Sequence, residues 1–177
     1  MSTFHDILKN GYNKDKLDEV NGFQLDRELS NDDHQIYHHK DKGLLYNVTG
    51  TQNSRDWVNN LKLATGIGFK KSIRYNNEKE TLNKAKKKYN VDNALITGHS
   101  QGAAHASFIS DPNKDEVFTL DKAATIGHKS RKNETNYASR GDLVSVFNNN
   151  NKYIGNHDYN FLNAHKVNKI KNLPDPF

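Results

Sequence analysis

The sequence predicts an α/β protein, a three-layer sandwich in which helices cover a mixed and mostly parallel sheet. Two observations support this fold class. Within residues 23–49, short strand-like runs are separated only by turn sequences, which is typical of an antiparallel meander. Beyond residue 70, strand-like runs alternate with helical segments, which is typical of βαβ units and a parallel sheet. We therefore expect an antiparallel N-terminal meander that continues into parallel strands.

The first half of the chain predicts one helix and three strands. Apolar residues recur at helical spacing from Phe4 to Tyr12. The strand-like runs that follow are separated by turn residues at Ser30–Asp33 and Asp41–Gly43. The predicted strands are Phe23–Leu29, Gln35–His39 and Leu44–Thr49.

The second half predicts helices and strands in alternation. Ser54 is a candidate helix N-cap, and a long lysine-rich helix is expected over residues 71–89. Short apolar runs predict the strands, and a polar loop follows the last of them at Asn148–Asn151. The predicted strands are Ala94–Ile96, Val117–Leu120, Ala123–Ile126 and Leu143–Phe147, and a terminal helix is expected over residues 163–172.

Length and composition favour one compact domain. The chain has 177 residues, of which 33% are hydrophobic, and it shows neither an internal repeat nor a clear domain boundary. We expect a single domain over residues 1–177, with residues 1–20 forming a polar helical lead-in. The chain contains no cysteine, which excludes disulfide and thiolate chemistry.

Charge and the N-terminal sequence bear on partners and location. The formal net charge is +5, and much of the excess lies in Lys84–Lys88, where a lysine run on a helix usually forms a solvated face. We expect no nucleic-acid partner, whereas a transient contact with an anionic membrane surface is compatible with this basic face. The first 20 residues lack a signal-peptide pattern, and no stretch is long enough to span a bilayer. These observations predict a soluble protein, either cytoplasmic or associated with a particle such as a virus.

The most informative stretch surrounds Ser100. A strand-like run ends in the sequence Gly98–Gly102, which fits G-x-S-x-G, and a helix of small residues follows. In this context the serine hydroxyl stands at the tip of a sharp turn, and the flanking glycines let strand and helix approach closely. The Gln101 N–H then lies at a helix N-terminus, where it can stabilise a developing oxyanion. The pattern predicts that Ser100 is a nucleophile.

Together with further segments, this stretch resembles the class 3 (fungal-type) lipases, a family of the α/β-hydrolase superfamily. The resemblance spans about residues 43–170 and implies an α/β-hydrolase-like fold and hydrolysis of carboxylic esters. Three family features are altered: the histidine before the Gly-Phe pair is missing, Gln101 stands where the family has leucine, and both prolines of Asp-Pro-Val-Pro are lost. The matching segments are Val48–Thr51, Arg55–Leu61, Gly68–Phe69, Gly98–Ala103, Gly141–Ser145 and Ala164–Val167.

Residues after Ser100 supply an acid and a base in the order expected of α/β-hydrolases. Asp142 stands at the margin of an apolar strand, where its carboxylate can orient an imidazole; an ordinary turn aspartate is the plainer interpretation, and Asp158 is a distant alternative acid. We assign the general base to His165, which is placed like the C-terminal histidine of the family, and keep His157 as the alternative base. The resemblance implies that the Thr51 N–H is a second oxyanion donor beside that of Gln101.

Two other groups of residues have plainer interpretations. Trp57, Val58 and Leu61 lie after the expected oxyanion residue at helical spacing, which fits either a core helix or a short lid over the site. The histidines within His34–His39 lack acidic or cysteine partners at ligand spacing. We therefore predict no metal site, and the expected chemistry requires no cofactor.

The leading hypothesis is a serine ester hydrolase that acts on lipid esters, either acylglycerols or phospholipids. One alternative is a catalytically inactive domain that has kept the fold as a membrane- or protein-binding module. Another keeps the enzyme but changes its substrate to a small soluble ester or an amide. Covalent labelling of Ser100 and the preference for micellar over monomeric esters distinguish these hypotheses.

Overall fold

The computed structural model describes residues 2–50, 73–123, 131–145, 148, 150–155, 164–170 and 172–177. These residues form an eight-stranded sheet whose strands lie side by side in chain order. The strands are β1 (Glu19–Val20), β2 (Phe23–Leu25), β3 (His34–His39), β4 (Gly43–Val48), β5 (Leu95–His99), β6 (Glu116–Leu120), β7 (Glu134–Ser139) and β8 (Asn151–Ile154). Strands β1 to β4 pair antiparallel, and β4 to β8 pair parallel. The predicted mixed sheet with an antiparallel meander is confirmed.

Helices cover both faces of the sheet. Helix α1 (Thr3–Tyr12) lies on one face, and α2 (Ile73–Lys88) and α3 (Gln101–Ile109) lie on the other. Strand alternation explains the two layers, because Tyr46 packs with residues of α2 and α3 whereas its neighbour Leu45 packs with α1. No helix in the described part of the chain is long and apolar enough to cross a membrane.

Helix α1 is shorter and more deeply packed than the predicted lead-in of 20 residues. Its apolar side chains are buried, and Gly11 approaches the sheet so closely that a Cβ there would lie 2.7 Å from the side chains of Gln35 and Asn47. The helix ends at Tyr12, and the residues that follow turn back so that β1 pairs with β2. The sequence analysis placed the end of the helical lead-in at residue 20 because the two-residue strand β1 is too short to show a strand pattern.

A row of buried polar side chains crosses the sheet. Asn47 donates to Gln35 at 2.6 Å and accepts from the hydroxyl of Thr97 at 3.0 Å, and the hydroxyl of Thr119 donates to Asn136 at 2.5 Å. All five residues are at most 1% exposed. Because each polar group has a partner, its burial costs little, and a chain with few hydrophobic residues can still enclose a core.

The structure corrects the predicted elements after residue 120. Strand β6 ends at Leu120, and Ala123 lies outside it; the remainder of the predicted strand Ala123–Ile126 is not among the described residues. Residues 143–145 form a bend rather than a strand, and β7 lies before them instead. β7 was missed because its sequence is polar, although its side chains are buried and hydrogen-bonded.

The C-terminal predictions also change. Asn151 begins β8, the parallel edge strand, where a polar loop was predicted. Within the terminal helix predicted over residues 163–172, Ala164 is helical, and a separate 3₁₀ turn follows at Val167–Lys169, so no continuous helix spans the described residues of this range. Edge strands tolerate polar residues because one side meets solvent, so β8 carries no apolar signal.

Candidate active site

Strand β5 leads directly into a strained turn at Ser100. This residue has φ 59° and ψ −125°, a backbone conformation that costs an L residue about 1–3 kcal/mol. Space requires the flanking glycines: a Cβ on Gly98 would lie 2.7 Å from the Gly102 carbonyl oxygen, and a Cβ on Gly102 would collide with the Val48 carbonyl. The turn therefore fixes the Ser100 side chain between the carboxyl end of β5 and the N-terminus of α3.

Two hydrogen bonds join Ser100, His165 and Asp142 in series. The Oγ of Ser100 lies 2.8 Å from Nε2 of His165, and Nδ1 of the same ring lies 2.8 Å from Oδ1 of Asp142. The Asp142 side chain is fully buried, and the His165 side chain is 13% exposed. A neutral imidazole with its proton on Nδ1 donates to the carboxylate and presents a lone pair to the serine hydroxyl.

Asp142 is held as a carboxylate by its neighbours. Its second oxygen accepts hydrogen bonds from the Ser145 N–H at 2.8 Å and the Ser145 hydroxyl at 2.6 Å. Burial alone would raise the pKa of Asp142, but the hydrogen bonds from His165 and Ser145 outweigh it and hold this pKa below its usual value. The bend after β7 that replaced the predicted strand is what supplies Ser145 to the carboxylate.

The segment that carries His165 is anchored from two directions. The His165 carbonyl oxygen lies 2.9 Å from Nε2 of His99, at the end of β5. Two residues further on, the Val167 carbonyl lies 2.9 Å from Nε2 of His5 in α1. Both imidazoles contact backbone rather than the Ser100 hydroxyl, so His165 is the one described histidine within hydrogen-bond reach of that hydroxyl.

Several predicted site residues lie outside the described part of the chain. They are the oxyanion residue Thr51, the helix or lid residues Trp57, Val58 and Leu61, and the alternative base His157. Gln101 is described and is the first residue of α3, so its backbone lies at the positive end of that helix dipole. Ser100, Gln101, Asp142 and His165 are the predicted site residues whose positions can be given.

A second carboxyl group, that of Asp121, lies beside this site at the end of β6. It is completely buried, and burial together with the charge of Asp142 raises its pKa to about 7. Asp121, His99 and His165 each place one potential metal-ligand atom within 4.8 Å of the others. However, both ring nitrogens of His99 and of His165 already take part in hydrogen bonds. The geometry therefore fits a hydrogen-bonded cluster rather than a metal site.

The basic surface of α2 is largely compensated. Lys84 pairs with Glu80 at 2.7 Å, Lys86 pairs with the buried Asp115 at 2.5 Å, and Lys88 contacts two carboxylates at 2.8 Å. These ion pairs give the lysine run a structural role within the fold. They weaken the electrostatic case for an anionic membrane contact at this helix.

Sequence reasoning missed two residues near Ser100, Tyr12 and Asp121. Tyr12, on α1, reaches His99 with its hydroxyl at 2.7 Å from Nδ1. Asp121 follows β6, whose carboxyl end lies beside that of β5 because the two strands are parallel neighbours. The position of Asp121 was therefore open to prediction from the strand order, whereas no sequence signal connects Tyr12 with residues near position 100.

The chain is similar to known proteins in its fold rather than in its sequence. No protein-family model and no curated protein sequence matches the chain. Among solved structures, it is similar to the Lip2 lipase of Yarrowia lipolytica, with a TM-score of 0.59, 16% identity, and coverage of 86% of this chain and 77% of that one. It is also similar to the Rhizomucor miehei lipase in its propeptide complex, with a TM-score of 0.56, 11% identity, and coverage of 86% and 66%. The chain thus has an α/β-hydrolase-like fold of the kind seen in fungal lipases.

Proposed function

We propose that the protein is a serine ester hydrolase that cleaves carboxylic esters of lipids. Ser100 is the nucleophile, His165 the general base and Asp142 the acid that orients it. The observation that carries the proposal is the pair of 2.8 Å hydrogen bonds that joins these side chains behind a serine on a strained turn. A serine hydroxyl becomes an effective nucleophile only when a positioned base accepts its proton.

The reaction proceeds through an acyl-enzyme. Oγ of Ser100 attacks the ester carbonyl carbon while Nε2 of His165 takes the hydroxyl proton, and the negative charge develops on the carbonyl oxygen. The N–H of Gln101 stabilises that oxyanion, with Thr51 as the second donor that the family resemblance implies. The imidazolium then protonates the departing alcohol. Water, deprotonated by the same ring, attacks the acyl carbon, and the ring then returns this proton to Oγ of Ser100 as the carboxylic acid leaves.

Lipid esters are the proposed substrate class because both structural neighbours above are lipases by name. Acylglycerols and phospholipids share the carboxylic ester that this chemistry cleaves. The proposal predicts higher activity on a medium-chain p-nitrophenyl ester above its critical micelle concentration than on the same ester below it. An enzyme that shows equal activity on both is an esterase for small soluble substrates.

Ser100→Ala tests the nucleophile. We expect at least about a 10³-fold loss of ester hydrolysis and complete loss of covalent labelling by a fluorophosphonate probe. Ser107→Ala is the matched control, because Ser107 is a buried serine on the same helix that donates to Glu134 at 3.0 Å, away from His165. Labelling of Ser107→Ala but not of Ser100→Ala supports the proposal. A wild-type protein that is neither labelled nor active would contradict the proposal and favour the alternative of an inactive module.

A further inference from the structure

Tyr12 belongs to a chain of hydrogen bonds that runs behind Ser100. Its hydroxyl oxygen lies 2.7 Å from Nδ1 of His99 and 3.0 Å from the backbone nitrogen of Gly50. The other ring nitrogen of His99 lies 2.9 Å from the carbonyl oxygen of His165. Through Tyr12, helix α1 is therefore linked to Gly50, which lies two residues beyond the end of β4, and to His99 at the end of β5. Through His99 it is also linked to the segment that carries the proposed base.

The direction of every bond in this chain is fixed. The His165 carbonyl can only accept, so Nε2 of His99 must carry a proton and donate it. Burial and the neighbouring ring of His165 lower the pKa of His99 to about 3, so the ring is neutral and its Nδ1 is an acceptor. The Tyr12 hydroxyl must then donate to Nδ1, which leaves its oxygen to accept from the Gly50 N–H. Burial also raises the pKa of Tyr12, which keeps the hydroxyl protonated.

Close packing leaves little freedom at the same point. A Cβ on Gly50 would lie 2.6 Å from the Tyr12 hydroxyl oxygen and 3.2 Å from Cβ of Ser100. Gly50 is thus pressed between the tyrosine and the proposed nucleophile, and it directly precedes Thr51 in the chain. On the other side, the Arg74 guanidinium donates to the Thr49 carbonyl at 2.7 Å. Tyr12 and Arg74 hold this strand end from opposite layers of the fold.

We infer that Tyr12 is a positioning residue, whose hydroxyl fixes the backbone leading to the oxyanion donor and, through His99, the backbone that carries His165. The inference rests on the proposed hydrolase function and adds to it. Because catalysis depends on the relative placement of base, nucleophile and oxyanion donors, small displacements of these groups reduce turnover strongly. Tyr12 acts through other residues and does not itself exchange a proton with the substrate.

Tyr12→Phe, compared with Tyr37→Phe, tests this role. The hydroxyl of Tyr37 accepts a hydrogen bond from Asn10 of the same helix at 2.8 Å, but it has no contact with His99 or Gly50. Tyr12→Phe loses two hydrogen bonds and Tyr37→Phe loses one, so both variants should lose some stability and Tyr12→Phe the more. We expect kcat of Tyr12→Phe to fall about tenfold with KM unchanged, and both constants of Tyr37→Phe to stay close to those of wild type.

The state of the His99 ring provides a readout that does not depend on activity. In ¹⁵N-histidine NMR spectra, wild-type His99 should remain neutral with its proton on Nε2 between pH 5 and 9. In Tyr12→Phe, Nδ1 loses its donor and its resonance should shift, while Tyr37→Phe should match wild type. An unchanged His99 spectrum in Tyr12→Phe overturns the inferred link.

The two proposals fail in different ways. Equal kcat values for Tyr12→Phe and Tyr37→Phe, with Ser100→Ala inactive, overturn the role of Tyr12 and leave the hydrolase intact. A wild-type protein that fluorophosphonate does not label overturns the hydrolase and with it the kinetic role. A tenfold kcat loss confined to Tyr12→Phe, together with the shifted His99 resonance, supports both.

Discussion

Asp121 accepts two hydrogen bonds from Ser139, one from the backbone N–H at 2.6 Å and one from the hydroxyl at 2.9 Å. The acceptor lies at the end of β6, and both donors belong to the last residue of β7, the strand that precedes Asp142. Burial dominates the energetics of Asp121 and, with the charge of Asp142, raises its pKa to about 7. Ionisation of Asp121 therefore destabilises the folded protein.

Asp121→Asn should increase stability, and the increase should grow with pH. The ordinary pKa of an aspartate is 3.8, so between pH 3.8 and about 7 the folded protein binds a proton that the unfolded chain has released. Stability of the wild type is therefore lost as pH rises through this window. At about 1.4 kcal/mol per pKa unit, the free energy of unfolding that the wild type loses across this window is of the order of several kcal/mol. Asparagine resembles the protonated acid and removes this dependence.

Melting temperatures at pH 4, 6 and 8 check this prediction. The difference between Asp121→Asn and wild type should be smallest at pH 4 and largest at pH 8. Asp26→Asn is a control of opposite sign, because Lys88 and Tyr89 outweigh burial and lower the pKa of Asp26. The stability that Asp26→Asn loses relative to wild type should become smaller as the pH falls. A pH-independent difference for Asp121→Asn would contradict the prediction.

Ser100→Gly should yield an inactive protein that is more stable than Ser100→Ala. Both variants lack the hydroxyl, but only glycine adopts φ 59° and ψ −125° without strain. We expect a difference of about 1–2 kcal/mol in the free energy of unfolding, measured with urea at pH 7. Ala106→Gly, within the helix that follows, is the control and should lose at least about 1 kcal/mol, through helix propensity and through loss of a buried methyl group. If Ser100→Gly were no more stable than Ser100→Ala, the turn would not be strained.

The sequence predicted the parts of the site that depend on local geometry. A strand, a turn with glycine on both sides of a serine, and a helix of small residues can be inferred within one short window, and the structure has all three around Ser100. The order of Asp142 and His165 along the chain, with the family resemblance, indicated two further residues, and the structure brings them within hydrogen-bond distance of each other. Their catalytic roles remain predictions.

The parts that could not be predicted depend on contacts between distant segments. Tyr12 and His99 are 87 positions apart, and neither lies in a pattern that indicates the other. Strand β7 was missed because it is buried through hydrogen bonds such as the one between Asn136 and Thr119 rather than through apolar side chains. Hydrophobic periodicity carries no information on strands of this kind.

Glu78→Gln should destabilise the protein far more than Glu80→Gln. Glu78 is 1% exposed and bonds to Arg74 at 2.7 Å and to His105 at 2.5 Å, whereas Glu80 forms an exposed pair with Lys84. Removing one partner from a buried charge network costs about 3–5 kcal/mol, whereas loss of an exposed i,i+4 ion pair costs little because solvent screens it. Urea unfolding at pH 7 measures the difference in the free energy of unfolding between the two variants.

The pH dependence of the same network has a definite sign. Although burial opposes it, the bonds from His105 and Arg74 lower the pKa of Glu78 below its ordinary value of 4.5. Its contribution is therefore fully present above pH 4.5 and is lost as pH falls through the lowered pKa. The difference in stability between Glu78→Gln and wild type should shrink on acidification, and a difference that grows below pH 4.5 would contradict this assignment.

Asp142→Asn should abolish most activity while leaving the fold intact. The Ser145 N–H needs an acceptor, so the asparagine oxygen will face Ser145 and its NH₂ group will face His165. Nδ1 of His165 must then accept, which places the ring proton on Nε2, where it can no longer take the proton of Ser100. We expect kcat to fall by about 10³- to 10⁴-fold with little change in KM. Fluorophosphonate labelling should slow by a similar factor. Asp26→Asn, which also alters a buried carboxylate, should keep the wild-type kcat under conditions where it remains folded. Retention of more than a tenth of wild-type activity in Asp142→Asn would show that another group orients His165.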